Sequence, residues 1–226
     1  MKNIVILSGA GMSAESGIMT FRDMGGLWEQ YNIEEVASPI AWANSPQLVL
    51  DFYNQRRKQL MEVEPNAGHY ALVALEKKFN VQIVTQNVDN LHERAGSSNV
   101  LHLHGEMMKV RSVVDEKLIY EMDHWELKLG DTADDGHQLR PHIVWFGEAV
   151  PMIEEAVPIV QQADILLIVG TSMQVYPAAG LVSYANTETP KYFIDPNAEE
   201  LNYPNLSCLR EKAGIGLPKL VKELLG

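Results

Sequence analysis

Four short apolar runs, Ile4–Leu7, Val81–Thr85, Ile165–Val169 and Tyr192–Ile194, run into the polar motifs SGAG, TQNVDN, VGTS and IDPN. Runs of this length, mostly bounded by Gly, Asn, Asp or Pro, read as strands buried on both faces of a parallel sheet. Between them lie helical patterns over Pro46–Met61, Asn66–Lys78, Glu154–Gln162 and Gly216–Leu225. The alternation predicts an α/β fold with a doubly wound parallel sheet. Ligands of such sheets sit at the carboxyl ends of the strands, which is where the four polar motifs fall. Their coincidence weighs more than any one of them.

The 226 residues suit one domain, or one domain with a small insertion. Two stretches leave the sheet pattern. One, residues 25–64, is rich in aromatic and helical signals and could form a lid over the first turn. The other, 111–139, is polar, and its DTADDGHQ reads as a loop. The expected division is a large part from 1–24, 65–110 and 140–226, with a small part from the two insertions. A net charge of −12 argues against nucleic acid as a partner. It is compatible with basic, lysine-bearing substrates, and equally with plain solubility. No apolar run reaches the length of a membrane span, and Met1-Lys2-Asn3 leads straight into a strand. The one cysteine, Cys208, excludes an intramolecular disulfide and points to a reducing compartment, so a cytoplasmic location is expected.

Gly9-Ala10-Gly11-Met12-Ser13-Ala14 matches G-x-G-x-x-A after a strand and before an expected helix, the setting of a dinucleotide fingerprint. A tight structural turn would look the same. No strand ending in Asp or Glu follows about 20 residues on, as an ordinary hydride-transfer unit requires. Phe21-Arg22-Asp23 follows instead, and Arg22 could bind phosphate or simply face water. In Thr85-Gln86-Asn87-Val88-Asp89-Asn90-Leu91-His92, helix capping explains one polar side chain and leaves the others without a purpose. Along a strand His102 and His104 would share a face, making a metal pair conceivable, but no third ligand is in view. A histidine just before Gly105 is well placed as a near-neutral base.

In this order GAGMSAESG…FRD, TQNVDNLH, LHLHGE, WFGE and GTSMQVYPAAG resemble the sirtuin family of NAD-dependent protein deacylases, over almost the whole chain. The resemblance implies a Rossmann-like domain with a smaller module, and a cleft between them for NAD and an acyl-lysine. It implies that Gly9, Ala10, Gly11, Ser13, Glu15, Thr20, Phe21, Arg22 and Trp28 surround the cofactor. Gln86, Asn87, Val88 and Asp89, then Gly170, Thr171 and Ser172, and last Asp195, Pro196, Asn197 and Ala213 complete that set. It makes His104 the base that takes a proton from a ribose hydroxyl, with Asn87 and Asp89 orienting ribose and nicotinamide. Val144, Trp145, Phe146, Gly147 and Glu148, with Val175 and Tyr176, match segments that clamp a substrate backbone by strand addition. The implied products are nicotinamide, free lysine and O-acyl-ADP-ribose. ADP-ribosyl transfer and a non-catalytic binding module are the competing readings, and a monomer is expected.

Departures matter as much. Sirtuins commonly carry four zinc-binding cysteines in the small module, and with Cys208 alone such a site is impossible. A zinc-free module packed through Val113, Val114, Leu118, Ile119, Trp125 and Leu127 is expected. Met19 replaces a frequent proline and Asp195 a frequent asparagine. Tyr53 and Arg56 stand at i,i+3 on a predicted helix. On residue type alone they are a surface pair. The same Y-x-x-R spacing marks sirtuins that accept succinyl and malonyl groups, where the arginine fork can bind the distal carboxylate.

Overall fold

The computed structural model describes residues 1–18, 33–198 and 202–226. Nine strands occur among them: β1 (Asn3–Ser8), β2 (Asn80–Thr85), β3 (Val100–His102), β4 (Gly105–Ser112), β5 (Ile119–Glu121), β6 (Leu139–Ile143), β7 (Ile165–Val169), β8 (Lys191–Ile194) and β9 (Leu206–Leu209). Six of them form one sheet in the order β3-β2-β1-β7-β8-β9. Every pairing in it is parallel. The chain builds outward from β1 on one side and resumes with β7 on the other, leaving a crevice beyond their carboxyl ends.

Alternation along β1 explains the layers. Ile4 and Ile6 pack with Leu72, Leu75, Leu217 and Leu220 on one face, while Val5 and Leu7 meet Ala156, Val160, Leu181 and Val182 on the other. The helices are α1 (Ile33–Val36), α2 (Pro39–Asn44), α3 (Pro46–Glu62), α4 (Ala67–Leu75), α5 (Leu91–Ala95), α6 (Ile153–Gln161) and α7 (Ala213–Leu225). No described helix is long and apolar enough to cross a membrane. The predicted helix from Asn66 begins with a reciprocal cap, Asn66 accepting from the Gly68 N–H and His69 Nδ1 accepting from the Asn66 N–H. It ends at Leu75 rather than Lys78. The edge strand β9 was not predicted, because LSCL is short and interrupted by a serine.

The expected helix after the glycine turn is absent. Two single 3-10 turns, Ala10–Met12 and Ala14–Ser16, stand in its place. The Gly9 and Gly11 N–H groups donate to Val169 O (3.0 Å) and Gly170 O (2.8 Å), which holds the chain against the end of β7.

A three-stranded antiparallel sheet, β5-β4-β6, flanks the second excursion: β5 lies within it, while most of β4 and β6 falls in residues expected to belong to the large part. Its packing differs from the expected set: Val113, Val114, Ile119 and Trp125 are exposed. Leu127 alone of the six joins the core, with Leu50 and Val110, ringed by Trp42, Tyr120, Met122 and Leu139. Polar bonds from α3 complete the attachment. The Asn54 amide brackets Leu127, donating to its carbonyl and accepting from its N–H, both at 2.9 Å. Buried Arg57 donates from Nε to Met107 O (2.9 Å) and from Nη1 to Trp125 O (2.6 Å) and Asn54 Oδ1 (2.9 Å).

Candidate functional site

A cleft of about 850 Å³ opens beyond the carboxyl ends of β1, β2, β7 and β8. Gly9, Ala10, Gly11, Ser13 and Glu15 line it after β1, Gln86, Asn87, Val88 and Asp89 after β2, Gly170, Thr171 and Ser172 after β7, and Asp195, Pro196 and Asn197 after β8. Tyr53 and Arg56 face it from α3, together with His104, the segment Val144 to Glu148, and Val175 and Tyr176. Thr20, Phe21, Arg22 and Trp28 lie outside the described residues. Ala213 is buried in the sheet core instead, and its neighbour Lys212 lines the cleft.

The glycines serve a purpose the fingerprint alone does not reveal. A Cβ on Gly170 would sit 2.3 Å from the Met12 nitrogen, and its φ of +59° already disfavours a side chain. Cβ atoms on Gly9 and Gly11 would in turn lie 2.8 and 2.7 Å from Gly170 backbone. Small residues let two strand ends touch, and their N–H groups are spent within the sheet, those of Gly9 and Gly11 on Val169 O and Gly170 O and that of Gly170 on Ile194 O. Ala10 N–H has no backbone acceptor among the described residues and is one donor of the loop available at the cleft.

Behind it, Ser13 ties the first two loops together. Its hydroxyl accepts from Asn87 Nδ2 (3.2 Å) and donates to Asp89 Oδ2 (2.9 Å). Asp89 also accepts from the Leu91 N–H (3.2 Å), so one carboxylate serves the cleft and the start of α5. Burial raises its pKa, against the bonds from Ser13 and Leu91. Gln86 Nε2 donates to Thr171 Oγ1 (3.2 Å), closing the floor between β2 and β7.

The two histidines of LHLHG do not share a face. β3 stops at His102, and Gly105 (φ +83°) turns the chain where a Cβ would meet the His142 carbonyl at 2.1 Å. His104 therefore sits in the turn, its Nδ1 3.1 Å from the Gln86 carbonyl. That carbonyl needs an N–H donor, which fixes the tautomer and leaves Nε2 with a lone pair. Burial lowers the ring's pKa and the Gln86 bond opposes this. His102 is buried behind the loop between the Asn87 carbonyl and Glu93. No group of three His, Cys, Asp or Glu able to hold a metal occurs among the described residues.

In the opposite wall Tyr53 is buried, and its hydroxyl accepts from Trp145 Nε1 (3.0 Å). Burial pushes the phenol up to about 12, so it keeps its proton and can donate it elsewhere. Arg56 lies with its guanidinium 5.5 Å from the Phe52 ring centre. Burial lowers its pKa, with Tyr53 and Asp89 opposing.

The WFGE turn is held from beneath. Glu148 accepts from Arg140 Nη1 (2.7 Å) and Nη2 (3.1 Å) and from the Trp145 N–H (2.7 Å), while Arg140 stacks 3.3 Å from the Trp145 ring centre. Phe146 N–H donates to Ala37 O (3.0 Å) and Glu148 N–H to Trp145 O (3.0 Å). Three backbone donors that strand addition could have used are thus engaged within the fold. Phe146, Val175 and Tyr176 keep exposed side chains at the rim. Among the lining residues that sequence reasoning missed are Ala37, Phe52, Met107, Ile143 and Lys212. Met107, three residues beyond His104, is the one whose position carried a signal.

The sequence profile of the Sir2 family matches residues 9–177. A Helicobacter pylori protein named NAD-dependent protein deacylase is 58% identical over all of this chain and 96% of its own length. One of the same name from Bacteroides thetaiotaomicron is 55% identical over all of this chain and 98% of its own. Among solved structures, a Sir2 homologue in complex with NAD superimposes with a TM-score of 0.90 at 38% identity, covering 99% of this chain and 90% of that one. A matched profile, full-length relatives and a superimposable solved structure agree with the motif-lined crevice: the chain belongs to the Sir2 family.

Proposed function

We propose that this chain is an NAD-dependent protein-lysine deacylase whose cleft takes acidic acyl groups, succinyl and malonyl, as well as acetyl. The observation that carries the reading is the pairing of His104 and the Asn87–Ser13–Asp89 cluster on one wall with Tyr53 and Arg56 on the other. The residues fit NAD. The unengaged Ala10 N–H suits a phosphate oxygen. The Asp195 carboxylate ends β8, where ribose hydroxyls need an acceptor. Bound NAD supplies a ribose carbon whose leaving group, nicotinamide, is already activated by its positive charge.

Everything else falls to the chain. Asn87 and Asp89 orient the ribose and nicotinamide, and the apolar wall of Ala37, Phe52 and Ile143 excludes water. Nε2 of His104 holds the proton of a ribose hydroxyl as the acyl group moves to it. Tyr53, whose oxygen already accepts from Trp145, turns its proton toward the acyl group, and Arg56 meets the distal carboxylate. Val175, Tyr176 and the 144–148 segment flank the peptide. The same reading has a zinc-free small module and a monomeric enzyme, and the lone cysteine supports a reducing, cytoplasmic setting.

Protein, NAD and matched acetyl-, succinyl- and malonyl-lysine peptides, followed by mass spectrometry, test this. The expected products are free lysine peptide, nicotinamide and O-acyl-ADP-ribose. Arg56→Met should lower kcat/KM for the succinyl peptide about ten- to a hundredfold more than for the acetyl one, since a charged hydrogen bond is worth about 1.5–3 kcal/mol. Equal losses would remove the acidic-acyl assignment, and absence of NAD cleavage would remove the deacylase.

A further inference from the structure

His102 lies outside the cleft, yet both its ring nitrogens face acceptors. Nδ1 is 2.8 Å from the Asn87 carbonyl and Nε2 is 2.8 Å from Glu93 Oε1. A neutral imidazole carries one N–H and could satisfy only one of them. The ring itself is buried, while Glu93 is partly open to solvent. The contacted carbonyl belongs to the residue whose side-chain amide bonds Ser13, and through Ser13 to Asp89. We propose that His102 is a positioning residue of the cofactor loop: as an imidazolium it bridges the Asn87 carbonyl to Glu93, and loss of its second proton loosens the loop and weakens NAD turnover at alkaline pH.

The surrounding charges support that state. Burial alone would lower the ring's pKa, but the Glu93 bond and charge, the Asn87 carbonyl and Glu106 outweigh it and raise it. Glu93 responds in kind: burial would raise its carboxyl, and the His102 bond and charge, with Lys109, bring it down. Two further groups face the ring, Asp89 favouring its charge and His92, itself held neutral by burial, exerting little. Lys109 is partly neutralised by its ion pair with Glu106 (2.9 Å). A raised folded pKa means that the contribution is complete below the ordinary histidine value and is lost as pH rises through the raised one. His104 acts at the other limb, since its lowered pKa delays loss of the neutral base until more acidic pH. NAD turnover therefore has two histidine limbs, one from a residue that touches the substrate and one from a residue that does not.

The proposal rests on the deacylase reading, and its test separates the two. Nitrogen-15 NMR of the NAD-free protein, with His102 assigned from His102→Gln, should show both ring nitrogens protonated at pH 7 and titration above the ordinary histidine value. In Glu93→Gln, kcat/KM for NAD should match wild type within about twofold at pH 6 and fall about tenfold below it at pH 8, as a one-unit acidward displacement of the limb gives. KM for the peptide should stay unchanged, and His102→Gln should keep the acid limb while losing the alkaline one. A His102 ring neutral at pH 7, or an alkaline limb unmoved in Glu93→Gln, overturns the positioning role whatever the activity. The NMR result on the unaltered protein stands even if Glu93→Gln folds poorly or NAD is not cleaved.

Discussion

Ser13 carries two hydrogen bonds through one buried hydroxyl, accepting from the Asn87 amide and donating to the Asp89 carboxylate. Replacing it with alanine leaves a buried amide and a buried carboxylate each short of a partner. A lost bond to a charged group is worth about 1.5–3 kcal/mol. Ser13→Ala should therefore reduce kcat/KM for NAD about ten- to a hundredfold. The acyl peptide's KM should hardly move, because Tyr53, Arg56 and the 144–148 segment do not contact Ser13. Steady-state kinetics with each substrate varied in turn checks this, and an equal loss for both would deny the serine its local role. The sequence made Ser13 a cofactor contact. Only the fold shows that it acts as a brace between two loops, because the brace depends on β1 and β2 being neighbours.

At the scale of elements, what was legible followed from periodicity. The four buried strands and the helices between them are written in local patterns of apolar residues, and the polar motifs ending those strands do meet at one cleft. The missed features depend on partners far along the chain. The helix expected after GAGMSA is replaced by tight turns because Gly9 and Gly11 bond to the end of β7. His102 and His104 part company because the carbonyl of distant His142 leaves no room beside Gly105. The small module was misjudged for a similar reason: its apolar residues were counted, whereas its attachment comes from Asn54 and Arg57 on α3. The guanidinium of Arg57 is buried with no carboxylate among its hydrogen-bond partners in the described residues, and burial lowers its pKa to about 10, so it stays charged at neutral pH. Arg57→Met should cost about 2–4 kcal/mol, since three buried acceptors lose their donor and relief of the buried charge returns part of that. Hydrogen exchange should show β5 and residues 123–128 losing protection before the parallel sheet. Arg57→Lys should fail to restore it, because one ammonium cannot span Met107 and Trp125. Uniform loss of protection across both sheets would mean that Arg57 is not a local staple.

Across the whole molecule the histidines pull in two directions with pH. His69 and His92 are fully buried beneath the cleft with ring centres 4.9 Å apart. Each retains one ring nitrogen without a hydrogen-bond partner among the described residues. Burial drives His69 down to about 4 and His92 well below its ordinary value, the latter with help from His69 and His102. His104 and His142 are lowered too, again chiefly by burial. Below about pH 6.5 the unfolded chain takes up protons at these rings that the folded chain refuses. Stability therefore falls as pH drops from 7 toward 5, by at most about 1.4 kcal/mol per unit for each fully titrating ring. His102 works the other way: its raised pKa adds stability that is complete at pH 5 and declines as pH rises. Several lowered rings outweigh one raised ring, so the net loss between pH 7 and 5 should be about 2–4 kcal/mol. For a domain of this size that lowers Tm by roughly 5–15 °C. Calorimetry at pH 7, 6 and 5 checks it, and because paired carboxylates titrate mostly below this window, the histidines dominate the slope. His69→Gln should flatten the curve, since glutamine keeps an amide in place of the ring and has no proton to gain. A Tm that stays level from pH 7 to 5 in the unaltered chain would mean that the buried pair is not held neutral.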